Sequence, residues 1–431
     1  MTTTSFEQLR TAEFARLDDR RCVYLDYTGA ALYPASLPVR HTERLLQDVY
    51  GNPHADAPAS RRSTELLERA RADVLHFFDA DPAVFDVVFT ANASGALRIL
   101  AEAFPFTRGS VFALSADNHN SVHGIRQAAR RRRARVQYIP LDRELRPTAW
   151  DAPTANAPSL LAYPAQSNFS GVRHPHHIIE QAHRHGFHVA LDAAAYVPTS
   201  PLSLRRIAPD FVAISFYKMF GWPTGVGALV ARKDALAMLR RSYFAGGTVQ
   251  YVSVQNGDHR LRTGASGFED GTPSFLSLGA VSDGLQWLEG LGMDDVRAHV
   301  QQRTAQLIER LRAVDGLVLY GPGDTQDRGG TVAFNLVRDG VVVPYEAVEA
   351  AAAQRDVSIR GGCFCNPGAG EAAFELSARD ARRCRRGTAE FDIARFRECM
   401  GGAPVGALRA SVGIPTTVAD LDALVAVLRS I

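Results

Sequence analysis

The chain has 431 residues, of which 46% are hydrophobic and 22% are charged, and its formal net charge is +2. A chain of this length and apolar content can bury a large core, and we expect more than one domain. The near balance of charge gives no electrostatic reason to expect nucleic acid or a membrane surface as a partner. The arginine-rich run from Arg126 to Pro140 is a local exception. Its place between a helical pattern and a strand favours a solvated helix end over a binding patch.

Nothing in the sequence indicates export or insertion into a membrane. The N-terminal stretch MTTTSFEQLRTAEFARLDDRR mixes acidic, basic and polar side chains and lacks the apolar segment of a signal peptide. No part of the chain approaches the roughly 18 uninterrupted apolar residues of a membrane-spanning helix. These features predict a cytoplasmic protein.

Apolar runs alternate with amphipathic segments of helical period between residues 46 and 284. Two of the helical segments are ASGALRILAEAF and HHIIEQAHRHG. The strand-like runs are, in chain order, DVVFT, SVFALS, VQYIPL, SLLAYPA, HVALDAA, FVAISF and GVGALVA. Such alternation predicts a large α/β domain with a doubly wound, mainly parallel sheet, whose strands are buried on both faces.

The pattern changes beyond residue 284. One long helical segment, from Leu285 to Gly316, leads into the strand-like runs LVLYGP, GGTVAFNLV, VSIRGG and LRASVG. This order predicts a smaller α+β domain made of residues 285–431, with the N-terminal arm, residues 1–45, packed beside it.

Lysine is almost absent from the chain, because all but two of its 48 Lys and Arg residues are arginine. Lys218 lies in FVAISFYKMFGWPTGVGALVAR, with aromatic and apolar residues on both sides, and Lys233 follows in ARKDAL. Arginine cannot replace a lysine that acts as a nucleophilic amine, since the guanidinium stays protonated. Lys218 is therefore either a functional amine or a lysine whose stem packs on aromatic rings while its ammonium reaches water, as Lys233 is expected to do.

Reactive and polar groups collect where the predicted strands end. Asp192 follows the apolar run HVAL, and Ser215 and Lys218 follow FVAI in the same way. VVFTANASGALRIL predicts a strand, a short turn and a helix, with Ser94 and Gly95 in the first helical turn. Free N–H groups and the helix dipole favour a phosphate at that place. In open α/β sheets the strand ends meet at one edge, so we expect these residues to share a site.

A phosphate cradle, a carboxylate and a desolvated lysine together match pyridoxal 5'-phosphate. The aldehyde of this cofactor binds a lysine amine, its ring nitrogen stays protonated opposite an aspartate, and its phosphate needs N–H and hydroxyl donors. The residues thus predict a pyridoxal-phosphate site in which Lys218 binds the cofactor and Asp192 faces its ring nitrogen.

Six motifs spread over nearly the whole chain support this interpretation. They are YLDYTGAALYP, FTANASGAL, SFYKMFGWPTGVGAL, FEDGTPSF, GCFCNPGAG and LRASVG. In these motifs the chain resembles the class V branch of fold-type I pyridoxal-phosphate enzymes, and in particular the cysteine desulfurase-like N-terminal domain of molybdenum cofactor sulfurases. The resemblance implies a fold-type I transferase fold.

The resemblance also implies roles for individual residues. His119 in ADNHNSV would stack on the cofactor ring and assist proton transfer, and Asn168 in QSNFSG would lie near the ring hydroxyl and the substrate. Arg409 in LRASVG would bind the substrate carboxylate. Thr272 in EDGTPSF would reach the phosphate bound by the partner subunit, which implies a homodimer with shared active sites. The residues that would contact the phosphate within one chain are Ala93, Ser94, Ser215 and Tyr217.

Taken singly, these residues also fit ordinary structural roles. His119 alone is typical of a hydrogen-bonded loop histidine, Thr272 of a helix cap and Arg409 of a surface arginine. The interpretation depends on the occurrence of all these residues together, in the same order along the chain as in the family.

The five cysteines are few and odd in number for this length, which favours free thiols or a metal site over a disulfide framework. Cys363 and Cys365 lie in a predicted loop, where a thiol can move in to take sulfur and out to pass it on. By the resemblance, Cys365 carries the persulfide. The spacing of these two from Cys384 and Cys399 matches no common zinc site, so no metal is predicted, and packed, unreactive cysteines remain the other alternative.

Two features set the chain apart from the sulfurases. Gly370 stands where they have a further cysteine after CNPGA, and the chain ends soon after LRASVG, without room for their second domain. Neither feature favours delivery of sulfur to a molybdenum cofactor.

The sequence thus predicts an enzyme that takes sulfur from L-cysteine or a related amino acid as a Cys365 persulfide and releases alanine. Lys218 would remove the α-proton, and a small molecule or another protein would accept the sulfur. A carbon–sulfur lyase, an epimerase or a transferase with the same cofactor is the first alternative, and Cys365 would then be dispensable. A sulfur carrier or partner-binding protein without turnover is the second.

Overall fold

The structure is a computed structural model that describes residues 5–377, 379, 382, 384, 393–400, 402 and 404–431. The strands are β1 Val23–Tyr24, β2 Phe85–Thr90, β3 Val111–Ser115, β4 Arg135–Ile139, β5 Ser159–Pro164, β6 Phe187–Asp192, β7 Phe211–Ser215, β8 Gly227–Arg232, β9 Val249–Val252, β10 His259–Leu261, β11 Leu317–Tyr320, β12 Thr331–Arg338, β13 Val341–Val342, β14 Val357–Ser358, β15 Arg360–Gly362 and β16 Ala407–Ser411. The helices span Phe6–Glu13, Arg16–Asp19, Ser36–Gln47, Pro58–Phe77, Ala93–Ala103, Asn120–His123, Ile125–Arg131, His177–Arg184, Leu204–Ile207, Phe216–Phe220, Lys233–Met238, Phe275–Leu291, Met293–Arg312, Tyr345–Ala353, Pro367–Ala373, Ile393–Cys399 and Val418–Arg429.

The seven apolar runs predicted before residue 284 are the seven strands of one sheet, in the order β2-β8-β7-β6-β5-β3-β4. Five of them, β3 to β7, pair in parallel, whereas β8 runs antiparallel to both β7 and β2. Every residue of β5 and β7 is buried, as expected for strands covered by helices on both faces. The prediction of a mainly parallel sheet is confirmed.

The two faces of this sheet pack into separate apolar clusters. Along β5, Leu160 and Ala162 belong to the cluster with the helix Ala93–Ala103, while Leu161 and Tyr163 face the cluster with the helix Phe275–Leu291. Because side chains alternate along a strand, a continuous apolar run serves both clusters at once.

A second, five-stranded antiparallel sheet has the order β11-β12-β16-β15, with β13 paired to the free part of β12. It contains the runs predicted after residue 284, except that the start of VSIRGG forms β14. The N-terminal arm joins this part of the chain, since β1 pairs in parallel with β14 and Asp26 forms a bridge with Ser411. The helix Phe275–Leu291 runs through residue 284, and the division into two domains stays a prediction. None of the described helices is both long and apolar enough to cross a membrane.

The long helical segment predicted from Leu285 to Gly316 is two helices, Phe275–Leu291 and Met293–Arg312. They are broken at Gly292, whose φ of +79° lies in the left-handed region that only glycine adopts without cost. The apolar pattern continues across this residue, so periodicity alone merged the two helices.

The cysteines require a second correction. Cys384 and Cys399 form a disulfide with Cα atoms 5.6 Å apart, so the expectation of free thiols or metal ligands is wrong for this pair. Pairing depends on the distance and direction of two Cβ atoms, which sequence spacing does not show. Cys22, Cys363 and Cys365 are free. In the described part of the chain, no three His, Cys, Asp or Glu side chains are grouped to hold a metal ion.

Candidate active site

The C-terminal ends of β5, β6 and β7 open into one cavity of about 130 Å³, here called the cofactor cavity. Strand ends of a parallel sheet meet at one edge, and this is why residues far apart in sequence converge there. Eight of the predicted site residues line it: Ala93, Ser94, His119, Asn168, Asp192, Ser215, Tyr217 and Lys218.

Lys218 lies in the short helix that follows β7 and makes no side-chain hydrogen bond to any described residue. Burial lowers the pKa of its amine from the ordinary value, Asp192 opposes this effect, and the positive charge of Arg409 adds to it. An amine with a lowered pKa is more often neutral near pH 7, and the neutral form is the one that acts as nucleophile or base.

Asp192 and His119 line the same cavity as Lys218. Asp192 is 8% exposed, and its Oδ1 accepts a hydrogen bond from the Ala194 N–H at 3.1 Å. Burial lowers the pKa of His119, against the influence of Asp192. The Ser121 N–H donates to His119 Nδ1 at 3.2 Å, so Nδ1 holds a lone pair and the proton of the neutral ring is on Nε2. The geometry therefore selects a neutral imidazole in one tautomer.

The start of the helix Ala93–Ala103 forms a cradle that fits a phosphate. The Ala93 N–H donates to Ser215 Oγ at 2.9 Å, which fixes the end of β7 against the helix. The Ser94 hydroxyl bonds the Ser121 hydroxyl at 2.6 Å, and both line the cavity. The Ser94 N–H, directed out of the first helical turn, has no backbone acceptor in the described part of the chain. Hydroxyls and a free N–H at a helix start are the donors that a phosphate needs.

Arg409 on β16 is 2% exposed and makes contacts that the sequence did not reveal. Its Nη2 donates to Asp26 Oδ1 at 2.8 Å and its Nη1 to the Asn168 carbonyl oxygen at 2.9 Å. Its Nε–H is buried without an acceptor among the described residues. Arg360 pairs with the same Asp26, so two guanidinium groups share one carboxylate. A cluster with excess positive charge and a buried, unpaired N–H suits a carboxylate ligand.

The loop that carries the two thiols is anchored at three consecutive carbonyls. The Asn366 N–H donates to the Cys363 carbonyl at 2.9 Å. Asn168 Nδ2 donates to the Phe364 carbonyl at 2.7 Å. The Asn120 N–H donates to the Cys365 carbonyl at 2.7 Å. Phe364 and Cys365 have φ of 54° and 56°, a strained region for side chains of this kind. In this structure the loop expected to swing is thus held in place, beside the cofactor cavity that Asn168 lines.

The two thiols of this loop differ in their surroundings. Cys363 Sγ donates to the Val405 carbonyl at 3.0 Å, and desolvation raises the pKa of this thiol. Both thiols are exposed, but the side chain of Cys365 bonds no described residue. It is also close enough to Lys218 to raise the pKa of that amine. Of the two, Cys365 is therefore the thiol without a hydrogen bond and with an electrostatic effect on Lys218.

Thr272 does not line the cofactor cavity. It lies in a separate groove, where Asn52 Nδ2 donates to its hydroxyl at 3.3 Å and where Arg98 and Tyr243 are neighbours. A contact between Thr272 and the phosphate of a second subunit stays a prediction.

Sequence reasoning missed three residues of this site: Asp26, Gln166 and Asn366. Asn366 is fully buried, caps the helix Pro367–Ala373 and donates from Nδ2 to Asn168 Oδ1 at 2.9 Å. Its place directly before the proline of CNPG is typical of a helix cap and could have revealed it. No local signal marked Asp26 or Gln166, because their partners lie elsewhere in the chain.

A family model described as Aminotransferase class-V matches residues 23–424. The chain belongs to the class-V aminotransferase family. Molybdenum cofactor sulfurase of Anopheles gambiae is 37% identical over an alignment that covers 99% of this chain and 58% of that protein. The sulfurase of Bos taurus is 35% identical over an alignment that covers 97% of this chain and 51% of that protein. The class-V chain described here thus spans about half the length of these curated relatives.

Solved structures show the same fold at low identity. A cysteine desulfurase from Thermococcus onnurineus NA1 superposes with a TM-score of 0.79 at 22% identity, covering 98% of this chain and 97% of that one. The complex of the cystine C-S lyase C-DES with its reaction product cysteine persulfide superposes with a TM-score of 0.75 at 18% sequence identity. The alignment covers 97% of this chain and 99% of that one. A C-DES mutant with glycine linked to its PLP cofactor superposes with a TM-score of 0.74 at 17% sequence identity. The alignment covers 97% of this chain and 98% of that one.

Family and fold together decide the cofactor. The chain is a pyridoxal-phosphate-dependent enzyme of the class-V family with the fold-type I architecture. A binding protein without turnover, one of the alternatives that the sequence left open, does not fit a class-V enzyme.

Proposed function

We propose that this class-V enzyme takes sulfur from L-cysteine or a close relative, holds it as a persulfide on Cys365 and releases alanine. The observation that carries the proposal is the exposed Cys365 thiol, which bonds no described residue and is close enough to Lys218 to raise the pKa of that amine. The Arg409 guanidinium lies 4.7 Å from the ring of Phe364, the residue that precedes Cys365. A substrate whose carboxylate binds Arg409 would therefore have its sulfur near this thiol.

Different residues of the cavity would bind the cofactor and accept the substrate proton. Bound pyridoxal phosphate supplies an aldehyde that binds amines and a ring that takes up the electrons of a broken bond. Ser94, Ser215 and the start of the helix Ala93–Ala103 would hold its phosphate, and Asp192 would keep its ring nitrogen protonated. Lys218 Nζ would accept the proton from the substrate Cα, since its lowered pKa leaves a larger share of neutral amine.

The sulfur transfer is a displacement at sulfur. The Cys365 thiolate attacks the substrate sulfur, an S–S bond forms and the C–S bond breaks. The electron pair of the broken bond stays on the substrate β-carbon, which takes up a proton and becomes the methyl group of alanine. The thiolate sulfur and the transferred sulfur form the persulfide, which passes to a small molecule or another protein.

A carbon–sulfur lyase is the second candidate, favoured by the similarity to C-DES. In that reaction the substrate loses its sulfur by elimination. Its carbon skeleton is released as pyruvate and its amino group as ammonia. Cys365 would then form no bond to sulfur.

Product analysis separates the two reactions. With L-cysteine and excess dithiothreitol, we expect one alanine for each sulfide released and no pyruvate, because the electron pair remains on the β-carbon. Amino-acid chromatography and a lactate dehydrogenase assay measure both products in one sample. Pyruvate and sulfide in equal amounts would contradict the desulfurase proposal and support the lyase.

We also propose a homodimer in which Thr272 of one subunit completes the phosphate site of the other. Two observations support it: Thr272 lies outside the cofactor cavity of its own chain, and apolar residues are exposed near its groove. Tyr243 is 66% exposed and Tyr251, on the hairpin of β9 and β10, is 56% exposed. Exposed aromatic patches of this kind mark protein interfaces.

Two defective variants, expressed together, test the shared site. Lys218→Ala and Thr272→Glu homodimers should each be inactive, the second because its carboxylate repels the partner's phosphate. A mixed dimer contains one site with both native residues, so random mixing should restore about a quarter of the wild-type activity. No recovery in a verified mixed dimer would contradict sharing, and a monomeric mass in sedimentation would contradict the dimer itself.

A further inference from the structure

The Cys365 thiol stands on a turn whose backbone is unusual for its sequence. The Asn366 N–H donates to the Cys363 carbonyl at 2.9 Å and closes a four-residue turn, here called the thiol turn. Its two central residues, Phe364 and Cys365, both have positive φ. Turns of that kind are dominated by glycine, asparagine and aspartate, because other side chains are crowded in the left-handed region. Contacts from outside the turn must therefore hold this backbone in place.

Two of these contacts come from segments that border the cofactor cavity. Asn168, which lines the cavity, donates from Nδ2 to the Phe364 carbonyl at 2.7 Å. Asn120, which directly follows His119, donates its backbone N–H to the Cys365 carbonyl at 2.7 Å. The position of the thiol turn is thus fixed relative to residues of the cavity wall.

The side chain of Asn366 joins the turn to both segments at once. It is fully buried, and its Nδ2 donates to the Asp117 carbonyl at 2.7 Å and to Asn168 Oδ1 at 2.9 Å. Its Oδ1 accepts from the Ala369 N–H at 3.2 Å. Rotation of the amide by 180° would place its oxygen against two acceptors, so the contacts determine its orientation. Both N–H groups of this amide are therefore used to hold the turn.

The segment that receives these bonds is itself closely packed. Asp117 is fully buried and its Oδ2 pairs with His174 Nε2 at 2.8 Å. Gly368, just beyond the thiol turn, lies so close to the Ala116 carbonyl that a Cβ at this position would clash with it. The segment that carries His119 is thus a rigid support against which the turn is held.

We propose that Asn366 is a positioning residue for Cys365: its side-chain N–H groups hold the thiol turn in the conformation in which Cys365 accepts the substrate sulfur. The proposal rests on the proposed function, in which sulfur passes to this thiol. Displacement at sulfur needs the thiolate in line with the C–S bond that breaks, so a small shift of the turn slows it.

The same geometry separates two steps of the reaction. The Cα proton passes to Lys218, which lines the cofactor cavity, whereas Asn366 does not line it. Loss of the Asn366 N–H groups lets the strained turn relax and displaces the thiol, but leaves the amine where it is. Sulfur transfer should therefore depend on Asn366 while removal of the Cα proton should not.

Replacement of Asn366 by serine tests this separation, because serine retains an oxygen that caps the helix Pro367–Ala373 but lacks the two N–H donors. In the cofactor-loaded enzyme with excess dithiothreitol, alanine formation from L-cysteine should fall about tenfold or more. Exchange of the Cα proton of L-alanine in D₂O needs Lys218 and no thiol, so it should stay within about twofold of the wild type. Amino-acid chromatography and proton NMR measure the two rates.

Two further variants complete the design. Asn366→Asp has nearly the shape of asparagine, retains the acceptor for the Ala369 N–H and lacks the donors, so it should separate the two rates in the same way. Asn335 is the matched control: it is 1% exposed, and its Nδ2 donates to the Tyr320 hydroxyl at 3.0 Å and the Gly406 carbonyl at 3.2 Å, outside the thiol turn. Asn335→Ser should lower the thermal midpoint but keep the ratio of the two rates.

Only a selective loss of alanine formation in folded Asn366 variants supports the proposal, and near-UV circular dichroism verifies the fold. Equal loss of both rates would show a purely structural role and would overturn it. Unchanged or faster alanine formation, or the same selective loss in Asn335→Ser, would overturn it as well. Failure of the proposed function is seen separately, in the wild type, if cysteine yields no alanine and leaves no extra sulfur on the Cys365 peptide.

Discussion

Replacement of Lys218 by alanine is expected to lower the rate of alanine formation by at least about a thousandfold, because it removes both the amine that binds the cofactor and the proposed base. No second lysine lines the cofactor cavity among the described residues. The same change should remove the visible absorbance of the lysine-bound cofactor, expected near ~420 nm. Initial rates and absorption spectra of the cofactor-saturated variant measure both effects.

Two further variants sharpen this test. Lys233→Ala is the matched control, since Lys233 is exposed and donates to the Pro82 carbonyl at 2.6 Å, away from the cavity. It should keep the rate and the spectrum of the wild type. Lys218→Arg keeps a positive charge but offers no nucleophilic amine, so it should be as inactive as the alanine variant. An active arginine variant would show that the charge and not the amine is needed, and would contradict the assignment.

Replacement of Cys365 by serine is expected to lower alanine formation from L-cysteine by at least about a hundredfold, because a hydroxyl is a far weaker nucleophile toward sulfur than a thiolate. In the wild type, brief exposure to cysteine without reductant should leave the mass of one extra sulfur atom on the loop peptide. The serine variant should carry none. Mass spectrometry of the peptide and chromatography of alanine give the two readouts.

Cys363→Ser is the control that the same loop provides. Cys363 Sγ donates a hydrogen bond to the Val405 carbonyl, and burial raises the pKa of this thiol. Removal of the Cys363 thiol should therefore leave the rate of alanine formation close to that of the wild type. Loss of activity in the Cys363 variant with retention in the Cys365 variant would reverse the assignment. Full activity in both would favour the lyase.

Much of the large sheet was predictable because its signal is local. The strands β5 and β7 are buried on both faces, and the apolar runs of β6 and β7 end on polar residues, Asp192 and Ser215. Asp192 and Lys218 could therefore be placed at strand ends, and the edge of a parallel sheet brings such ends together. That these two line one cavity follows from sheet geometry.

The predictions that failed depended on geometry over longer range. The apolar period passes through Gly292 without a break, although the helix ends there. The pairing of Cys384 with Cys399 left no mark in their spacing. Asp26 reaches Arg409 only because β1 lies beside β14 and the chain that follows it crosses to β16.

The sequence by itself determined which cofactor the protein uses and which residue types can act on it, since an amine, a carboxylate and a thiol have their chemistry wherever they lie. The tertiary structure decided which of these groups are free to act. The Cys363 thiol donates a hydrogen bond whereas the Cys365 thiol bonds no described residue, and Arg409 shares Asp26 with a second arginine. Hydrogen bonds between residues distant in sequence form only when packing brings them within about 3 Å, and no local pattern records that distance.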